Sequence, residues 1–180
     1  MIFLFLYLLV FLVCVALLVL FTTELWASFV TVAPFVPIPQ HMEEAILAHL
    51  ELDADSVLYD LGCGDGRILL AATDRFPTIT AVGIEKVLRP YLLARWKTRD
   101  SSVQILHTDF FSADLSKATH VFAYLFPRIP DKILKMMHTQ CAPGTRFISC
   151  DFEATEYAPT EVIEVNPTAP LGKRLFVYTI

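Results

Sequence analysis

The chain has 180 residues, enough for one domain with a core of its own. Hydrophobic residues make up 55% of it, more than is usual for a soluble protein, and the formal net charge is −5. This acidic balance excludes a general nucleic-acid-binding protein, which would be basic, so we expect no nucleic acid partner. The four cysteines lack metal-ligand spacing, and we expect neither a disulfide framework nor a metal site.

The first predicted element is an apolar helix over residues 2–21, a run without charge, glycine or proline. About 20 helical residues span a hydrocarbon core of roughly 30 Å. A secretory signal peptide is the alternative, but it needs a basic start, and no Lys or Arg precedes Arg67. We therefore predict that residues 1–31 form a single transmembrane anchor with an interfacial flank, where Trp26 and Phe29 lie at the surface of the lipid bilayer.

Residues 32–39 read VAPFVPIP, and their three prolines predict an extended connector before a domain over residues 40–180. Strand and helix patterns then alternate along that domain. Strands are predicted over 56–61, 79–84, 103–107, 120–125, 145–150, 161–165 and 175–180, and helices over 40–50, 65–76, 86–99 and 130–139. This order predicts an α/β fold with a parallel sheet covered on both faces. The last two strands have no helix between them, which predicts one antiparallel strand at the edge of the sheet.

The helix over residues 86–99 is predicted from apolar side chains at helical spacing. They are Val87, Leu88, Tyr91, Leu92 and Trp96. Pro90 falls in the first turn, where a helix tolerates proline.

The loop after the first predicted strand is rich in glycine. It consists of Gly62, Cys63, Gly64, Asp65 and Gly66. Ligands of open α/β sheets bind beyond the carboxyl ends of the strands, and glycines let the backbone approach them closely. A dinucleotide loop would need glycine at position 67, where the chain has Arg67. Asp60 ends the strand, and a carboxylate there argues against a pyrophosphate and favours a cationic ligand such as S-adenosylmethionine.

Two further predicted cofactor contacts follow the next two strands in order. Glu85 ends the second strand, and its carboxylate can accept hydrogen bonds from both hydroxyls of a ribose. Asp109 comes just after the third strand and can accept from an adenine amino group, with Phe110 against the ring. Taken one at a time, the glycines could be turn residues and the carboxylates could be solvent-exposed helix caps. The occurrence of all of them at strand ends favours a single binding site.

On these motifs the sequence resembles the class I S-adenosylmethionine-dependent methyltransferases over roughly residues 40–180, most specifically in YDLGCGDGR. The apolar helix followed by PFVPIP, YDLGCGDGRILLAA, ATHVFAYLFP and PGTRFIS is similar to the small membrane-anchored protein-lysine methyltransferases. Their eukaryotic members act in mitochondria, and related proteins occur in prokaryotes. The resemblance implies a Rossmann-like sheet of seven strands, S-adenosylmethionine as methyl donor, and protein lysine side chains as acceptors.

In this fold the end of the fourth strand faces the methyl group, and here it reads AYLFP. The [ND]-P-P-[YFW] motif of amide and adenine methyltransferases is absent, which disfavours those acceptors. Tyr124 can orient an amine, and Phe126 can wall an apolar channel that favours the neutral form of lysine. These two are the predicted catalytic residues, although Tyr124 is also explained as a buried core ring. Asp151 and Glu153 are equally well explained as loop carboxylates and are not assigned to the site.

Three functions are compatible with these patterns. The chain is a tethered methyltransferase for lysines of a membrane or membrane-associated protein, a methyltransferase for a lipid or lipophilic small molecule, or a binding module without activity. The intact cofactor motif disfavours the third function, and the lack of an insertion large enough for a lipid cap favours the first over the second. We expect the catalytic domain in the cytoplasm or mitochondrial matrix, because all 14 Lys and Arg residues follow the anchor.

Overall fold

The computed structural model describes residues 2–30 and 38–180, with the backbone alone over residues 24–30 and at Gln40. The chain divides into two compact units, Met1–Pro34 and Phe35–Ile180. The predicted connector lies outside the described residues except for Ile38 and Pro39, and the side chains of Trp26 and Phe29 also lie outside them.

The first unit is one long helix, α1 (Ile2–Val30), so the predicted apolar helix is confirmed. Its segment Ile2–Thr23 is 22 residues long with a mean hydropathy of 3.3, and all its side chains are exposed. At about 1.5 Å per residue such a segment matches the thickness of a bilayer. By length and composition, α1 is therefore a candidate membrane anchor.

The second unit is an α/β domain built on one seven-stranded sheet. Its helices are α2 (Gln40–Leu50), α3 (Arg67–Arg75), α4 (Leu88–Lys97) and α5 (Ile129–Gln140), and its strands are β1 (Val57–Leu61), β2 (Thr80–Ile84), β3 (Gln104–Leu106), β4 (His120–Ala123), β5 (Arg146–Cys150), β6 (Glu161–Glu164) and β7 (Arg174–Thr179). The strand order is β3-β2-β1-β4-β5-β7-β6. Strand β7 runs antiparallel to both of its neighbours, β5 and β6. The predicted seven-strand fold with an antiparallel strand at this edge is thus confirmed, and β6 forms the outermost strand.

The strand register aligns the carboxyl ends of the central strands. Leu61, the last residue of β1, is opposite Ile84 of β2 and Ala123 of β4. The residues that follow these three strands therefore emerge side by side at one edge of the sheet. This edge is where ligands of open α/β sheets bind.

The core lies between the sheet and the helices packed on it. Its fully buried members include Met42, Ile46 and Leu50 of α2, and Phe122 and Ile148 of the sheet. Burying each such side chain contributes about 1.5–3 kcal/mol to folding. The helices and the central strands, which carry the site, therefore form one rigid base.

Helix α4 is confirmed, but the apolar side chains that predict it divide, since Tyr91 packs against the core and three others face away from it. Pro90 and Ala94 are buried, whereas Leu88, Leu92 and Trp96 are 57%, 55% and 62% exposed. The small Pro90 and Ala94 side chains allow the helix to lie close to the rest of the domain. The larger apolar side chains consequently point to the outside.

Candidate functional site

The loop between β1 and α3 is held in place by backbone hydrogen bonds. The amides of Gly62 and Cys63 both donate to the carbonyl oxygen of Ile84, at 2.8 and 3.1 Å. Gly64 and Gly66 have φ angles of 59° and 76°, in the left-handed region that favours glycine. Because Gly66 keeps this conformation, α3 begins at Arg67 and not at residue 65 as predicted.

Glu85 braces the loop from the end of β2. Its Oε2 accepts the Gly64 amide at 3.0 Å and its Oε1 accepts the Val87 amide at 2.8 Å. Burial raises the pKa of this carboxyl, while the backbone hydrogen bonds act in the opposite direction. The amide of Lys86 is a third backbone group that acts on this carboxyl, and the contact of Glu85 with two ribose hydroxyls remains a prediction.

Asp60 is the buried carboxylate at the end of β1. It is 3% exposed. Burial raises its pKa well above the usual value, and the charges of Glu85 and Asp65 add to this effect. A carboxylate in such a place is unfavourable unless a cation or a hydrogen-bond donor compensates its charge. The residues around the glycine loop therefore fit a ligand that carries positive charge, such as the ammonium and sulfonium groups of S-adenosylmethionine.

The carboxylate of Asp65 is paired inside the domain. Arg67 donates to its Oδ1 and Oδ2 at 2.9 and 2.8 Å, and Lys97 of α4 donates to Oδ2 at 2.7 Å. Burial acts to raise the pKa of Asp65, but these hydrogen bonds and charges outweigh it and lower the pKa to about 2. The side chain thus links the glycine loop to α4. The predicted contact of Asp65 with the donor would therefore be made by its backbone atoms.

The Lys97 contact did not emerge from the sequence, because 32 residues separate it from Asp65. One feature of the sequence drew attention to Arg67, because this arginine occupies the position at which a dinucleotide-binding loop has its third glycine.

Asp109 follows β3 and caps a short 3-10 helix, Phe110–Ser112. Its Oδ1 accepts the Phe111 amide at 3.0 Å, and its Oδ2 accepts Lys86 Nζ at 3.0 Å. The Lys86 bond lowers the pKa of Asp109 although burial opposes it. Phe110 is buried and its ring centroid lies 4.4 Å from that of exposed Phe111, so two aromatic rings are available where one was predicted.

Tyr124 follows β4 and is oriented by a carboxylate that the sequence left unassigned. Its hydroxyl donates to Asp151 Oδ2 at 3.2 Å. Asp151 has a φ of 62° and also accepts the amides of Gly172 and Lys173, both at 2.6 Å. Burial and the charge of Asp151 raise the pKa of Tyr124 above its usual value. One signal for Asp151 was available, since it follows β5 as Glu85 follows β2.

The loop after β4 contacts the glycine loop directly. A Cβ atom added to Gly62 would lie 2.9 Å from Cδ2 of Leu125, and the φ of 76° at this position also favours glycine. Phe126, the other predicted catalytic residue, is partly exposed next to Leu125. The donor-side and acceptor-side loops therefore share a contact at the carboxyl edge of the sheet.

Hydrogen bonds thus join Gly64 to Glu85, and Tyr124 to Asp151, while Asp60 lies in the same cluster of charges as Glu85 and Asp65. Asp109, Phe110 and Phe126 occupy neighbouring strand ends without a direct contact to that cluster among the described residues. Their joint contact with a ligand remains a prediction.

Comparisons with known proteins agree with this geometry. A family profile described as the ANTKMT methyltransferase domain matches residues 60–161. A protein-lysine N-methyltransferase of Saccharolobus islandicus (strain REY15A) is 32% identical over 85% of this chain and 97% of that protein. The ATP synthase c-subunit lysine N-methyltransferase of Homo sapiens is 28% identical over 72% of this chain and 56% of that protein. The chain therefore spans about half the length of the human relative.

Among solved structures, an RNA methyltransferase from Salinibacter ruber in complex with S-adenosyl-L-homocysteine superposes with a TM-score of 0.74. It is 32% identical in sequence, and the match covers 81% of this chain and 94% of that one. The profile match and the archaeal relative together show the family. The chain belongs to the family of the ANTKMT methyltransferase domain and is an S-adenosylmethionine-dependent methyltransferase.

Proposed function

We propose that this chain is a membrane-anchored protein-lysine N-methyltransferase. The proposed acceptor class rests on the match to the archaeal protein-lysine N-methyltransferase. The match covers 97% of the length of that protein. The vertebrate relatives, named for a lysine of the ATP synthase c-subunit, support the same class. The Salinibacter ruber protein is named an RNA methyltransferase instead, but a net charge of −5 disfavours a polyanionic substrate here.

In this proposal the glycine loop, Asp60 and Glu85 hold the donor, and Asp109 and Phe110 receive its adenine ring. S-adenosylmethionine supplies a methyl group activated on a sulfonium, and its acceptor must be a neutral amine. Asp60 compensates positive charge, and the backbone amides at the start of α3 favour a carboxylate. The chain's contribution is therefore orientation of two reactants and removal of water.

Tyr124 orients the acceptor and does not act as a general base. Its raised pKa disfavours the phenolate, and its proton is committed to Asp151. The oxygen keeps lone pairs that can accept an N–H from the lysine amine. Phe126 lines the approach with apolar surface, which favours the neutral amine by desolvation. The lysine proton is lost to solvent before transfer, so the rate should rise with pH until another group titrates.

The membrane part of the proposal is supported by α1 and by the distribution of charge. A tether would raise the local concentration of lysines on membrane or membrane-associated proteins. All 14 Lys and Arg residues follow α1, which favours a single pass with the catalytic unit in the cytoplasm or an organelle matrix.

The test is transfer of a labelled methyl group by the full chain in native membranes, followed by separation of protein, lipid and RNA. We expect the label in protein, as methyl-lysine after hydrolysis, and none of it with Asp60→Asn. Label confined to the lipid fraction would transfer the assignment to a lipophilic acceptor. Label confined to RNA would refute a lysine acceptor and favour the substrate class for which the Salinibacter ruber protein is named.

A further inference from the structure

The outward face of α4 carries an exposed apolar stripe. Leu88, Leu92 and Trp96 succeed one another at every fourth position, so they align on one side of the helix. All three are more than half exposed, and Leu93 beside them is 39% exposed. A contiguous exposed stripe of this kind marks an interaction surface, since single exposed apolar residues are common but aligned ones are not.

The same face concentrates positive charge in an acidic protein. Residues 86–99 hold five of the 14 Lys and Arg residues and no Asp or Glu, although the chain carries a net charge of −5. Lys86 and Lys97 are paired with carboxylates of the candidate site. Arg89, Arg95 and Arg99 are exposed around the stripe. Arg99 pairs with Asp100, its Nε lying 3.1 Å from Oδ2, and its guanidinium lies 5.1 Å from the centroid of the Trp96 ring.

Leucine and tryptophan bordered by arginine are typical of helices that lie in the interface of a membrane. The apolar side chains enter the acyl boundary, the indole lies at headgroup level, and the basic side chains are attracted to an anionic surface. We propose that the α4 face (Leu88, Leu92, Leu93 and Trp96 with the three exposed arginines) docks on a bilayer that contains anionic lipids.

The chain carries its own candidate membrane anchor, α1, ahead of the catalytic unit. Only residues 31–37 separate the described parts of the chain, and seven residues extend to about 25 Å at most. Once α1 is inserted, the bilayer is therefore present at high effective concentration. The proposal rests on the anchor proposed above, but it is independent of the chemical class of the acceptor.

Docking through α4 would set the height of the site above the membrane. Leu88 begins the helix only three residues after Glu85, so this end of α4 is close to the carboxyl edge of the sheet. A catalytic unit that lies on its α4 face would keep this edge near the headgroups. Acceptors close to the membrane plane would then be reached in preference to acceptors far from it.

The experiment uses the two tryptophans of the chain, Trp26 and Trp96. The variant Trp26→Phe leaves Trp96 as the single indole of the full-length protein. This protein is inserted into vesicles of phosphatidylcholine and phosphatidylglycerol, with normal or brominated acyl chains, and insertion is verified by flotation. We expect the brominated lipid to reduce Trp96 emission roughly twofold, and aqueous iodide to have little effect.

Matched variants separate docking from anchoring. Leu92→Glu in the same background should restore Trp96 emission in brominated vesicles, because it places a negative charge in the stripe. Val162→Glu, a control at a 48% exposed position on β6, should leave the quenching unchanged. Both variants should float with the vesicles and methylate a soluble lysine peptide at the normal rate.

Three outcomes would overturn the proposal. Quenching of Trp96 by iodide and not by brominated lipid would place the α4 face in water. Protection from both quenchers would mean that protein covers the face, with a second copy of the chain as the first occupant to examine by crosslinking. Failure of the full chain to float would refute the anchor and the docking together, whereas methyl transfer to protein lysine would be judged separately.

Discussion

The hydroxyl of Tyr124 donates a hydrogen bond of 3.2 Å to Oδ2 of Asp151, and this bond joins the residues that follow β4 and β5. Asp151 is itself fixed by the amides of Gly172 and Lys173, which belong to the turn between β6 and β7. The orientation of the tyrosine thus depends on a turn about 50 residues away along the chain. A tyrosine packed in the core would also pair its hydroxyl, so the kinetics of a variant decide between the two roles of Tyr124.

Removal of the Tyr124 hydroxyl should therefore impair transfer and not donor binding. For Tyr124→Phe we expect kcat on a lysine peptide to fall about 10- to 100-fold. The dissociation constant for S-adenosylmethionine, measured by calorimetry, should stay the same. Tyr59→Phe, which removes a hydroxyl from β1, serves as the control and should keep the normal rate. Equal rates for Tyr124→Phe and the control would leave Tyr124 as a packing residue.

Asp60→Asn should stabilise the donor-free protein while weakening donor binding. The raised pKa of Asp60 means that the stability of the donor-free protein falls as pH rises from 3.8 toward that raised value. Replacing the carboxylate by a neutral amide removes this loss, and the melting temperature at pH 7 should rise by about 4 °C for each kcal/mol regained. Calorimetry should detect much weaker donor binding. A lower melting temperature with intact affinity would contradict both expectations.

The pairing of Asp65 with Lys97 should be visible in the way the stability of the protein decreases at acid pH. Because the folded pKa of Asp65 is about 2, against 3.8 for the unpaired group, its contribution is present above 3.8 and is lost as pH falls through about 2. Lys97→Met should cost about 1–2 kcal/mol at neutral pH, and the difference from the natural protein should vanish near the acid end of this window. Thermal melts between these pH values measure it. Lys86→Met, which breaks a more exposed pair, should cost less than about 1 kcal/mol.

Gly64→Val should abolish donor binding and leave the domain folded, because a branched side chain would occupy the place where the ligand approaches the loop. The φ angle of 59° adds a strain of about 1–2 kcal/mol for valine. Gly144→Val is the matched control, since Gly144 has a φ of 91° and open space around it. This control should lose stability to a similar degree and keep its donor affinity. Unchanged donor affinity in folded Gly64→Val would remove the glycine loop from the site.

A chain that begins at Val32 should fold and bind the donor, because the core is built from residues after the prolines. Its activity on a soluble lysine peptide should equal that of the full chain. Its activity on native membranes should fall by roughly 100-fold or more, as the effective concentration supplied by the tether is lost. Full activity of this truncation on membranes would leave α1 without the proposed role.

Most of the fold followed from local patterns, because apolar runs and glycine turns report directly on backbone state. The succession of strands and helices along the chain and the glycine loop between Gly62 and Gly66 were therefore predictable, whereas the seven-strand sheet was implied by the family resemblance. The outward face of α4 was not, since helical spacing shows that Leu88 and Leu92 share a side but not which side packs on the sheet. The position of Asp151 after β5 was the one signal for its role, and its bonds were not predictable because its amide partners come from a distant turn.

The close approach of Gly62 to Leu125 has a consequence for the exchange of loops within the family. The φ of 76° strains any side chain at position 62 whatever residue stands at position 125, and a Cβ atom there would also press on Leu125. The donor loop and the loop after β4 therefore rest on each other through a position that is restricted to glycine. A chimera that exchanges one of these loops without the other should lose affinity for the donor.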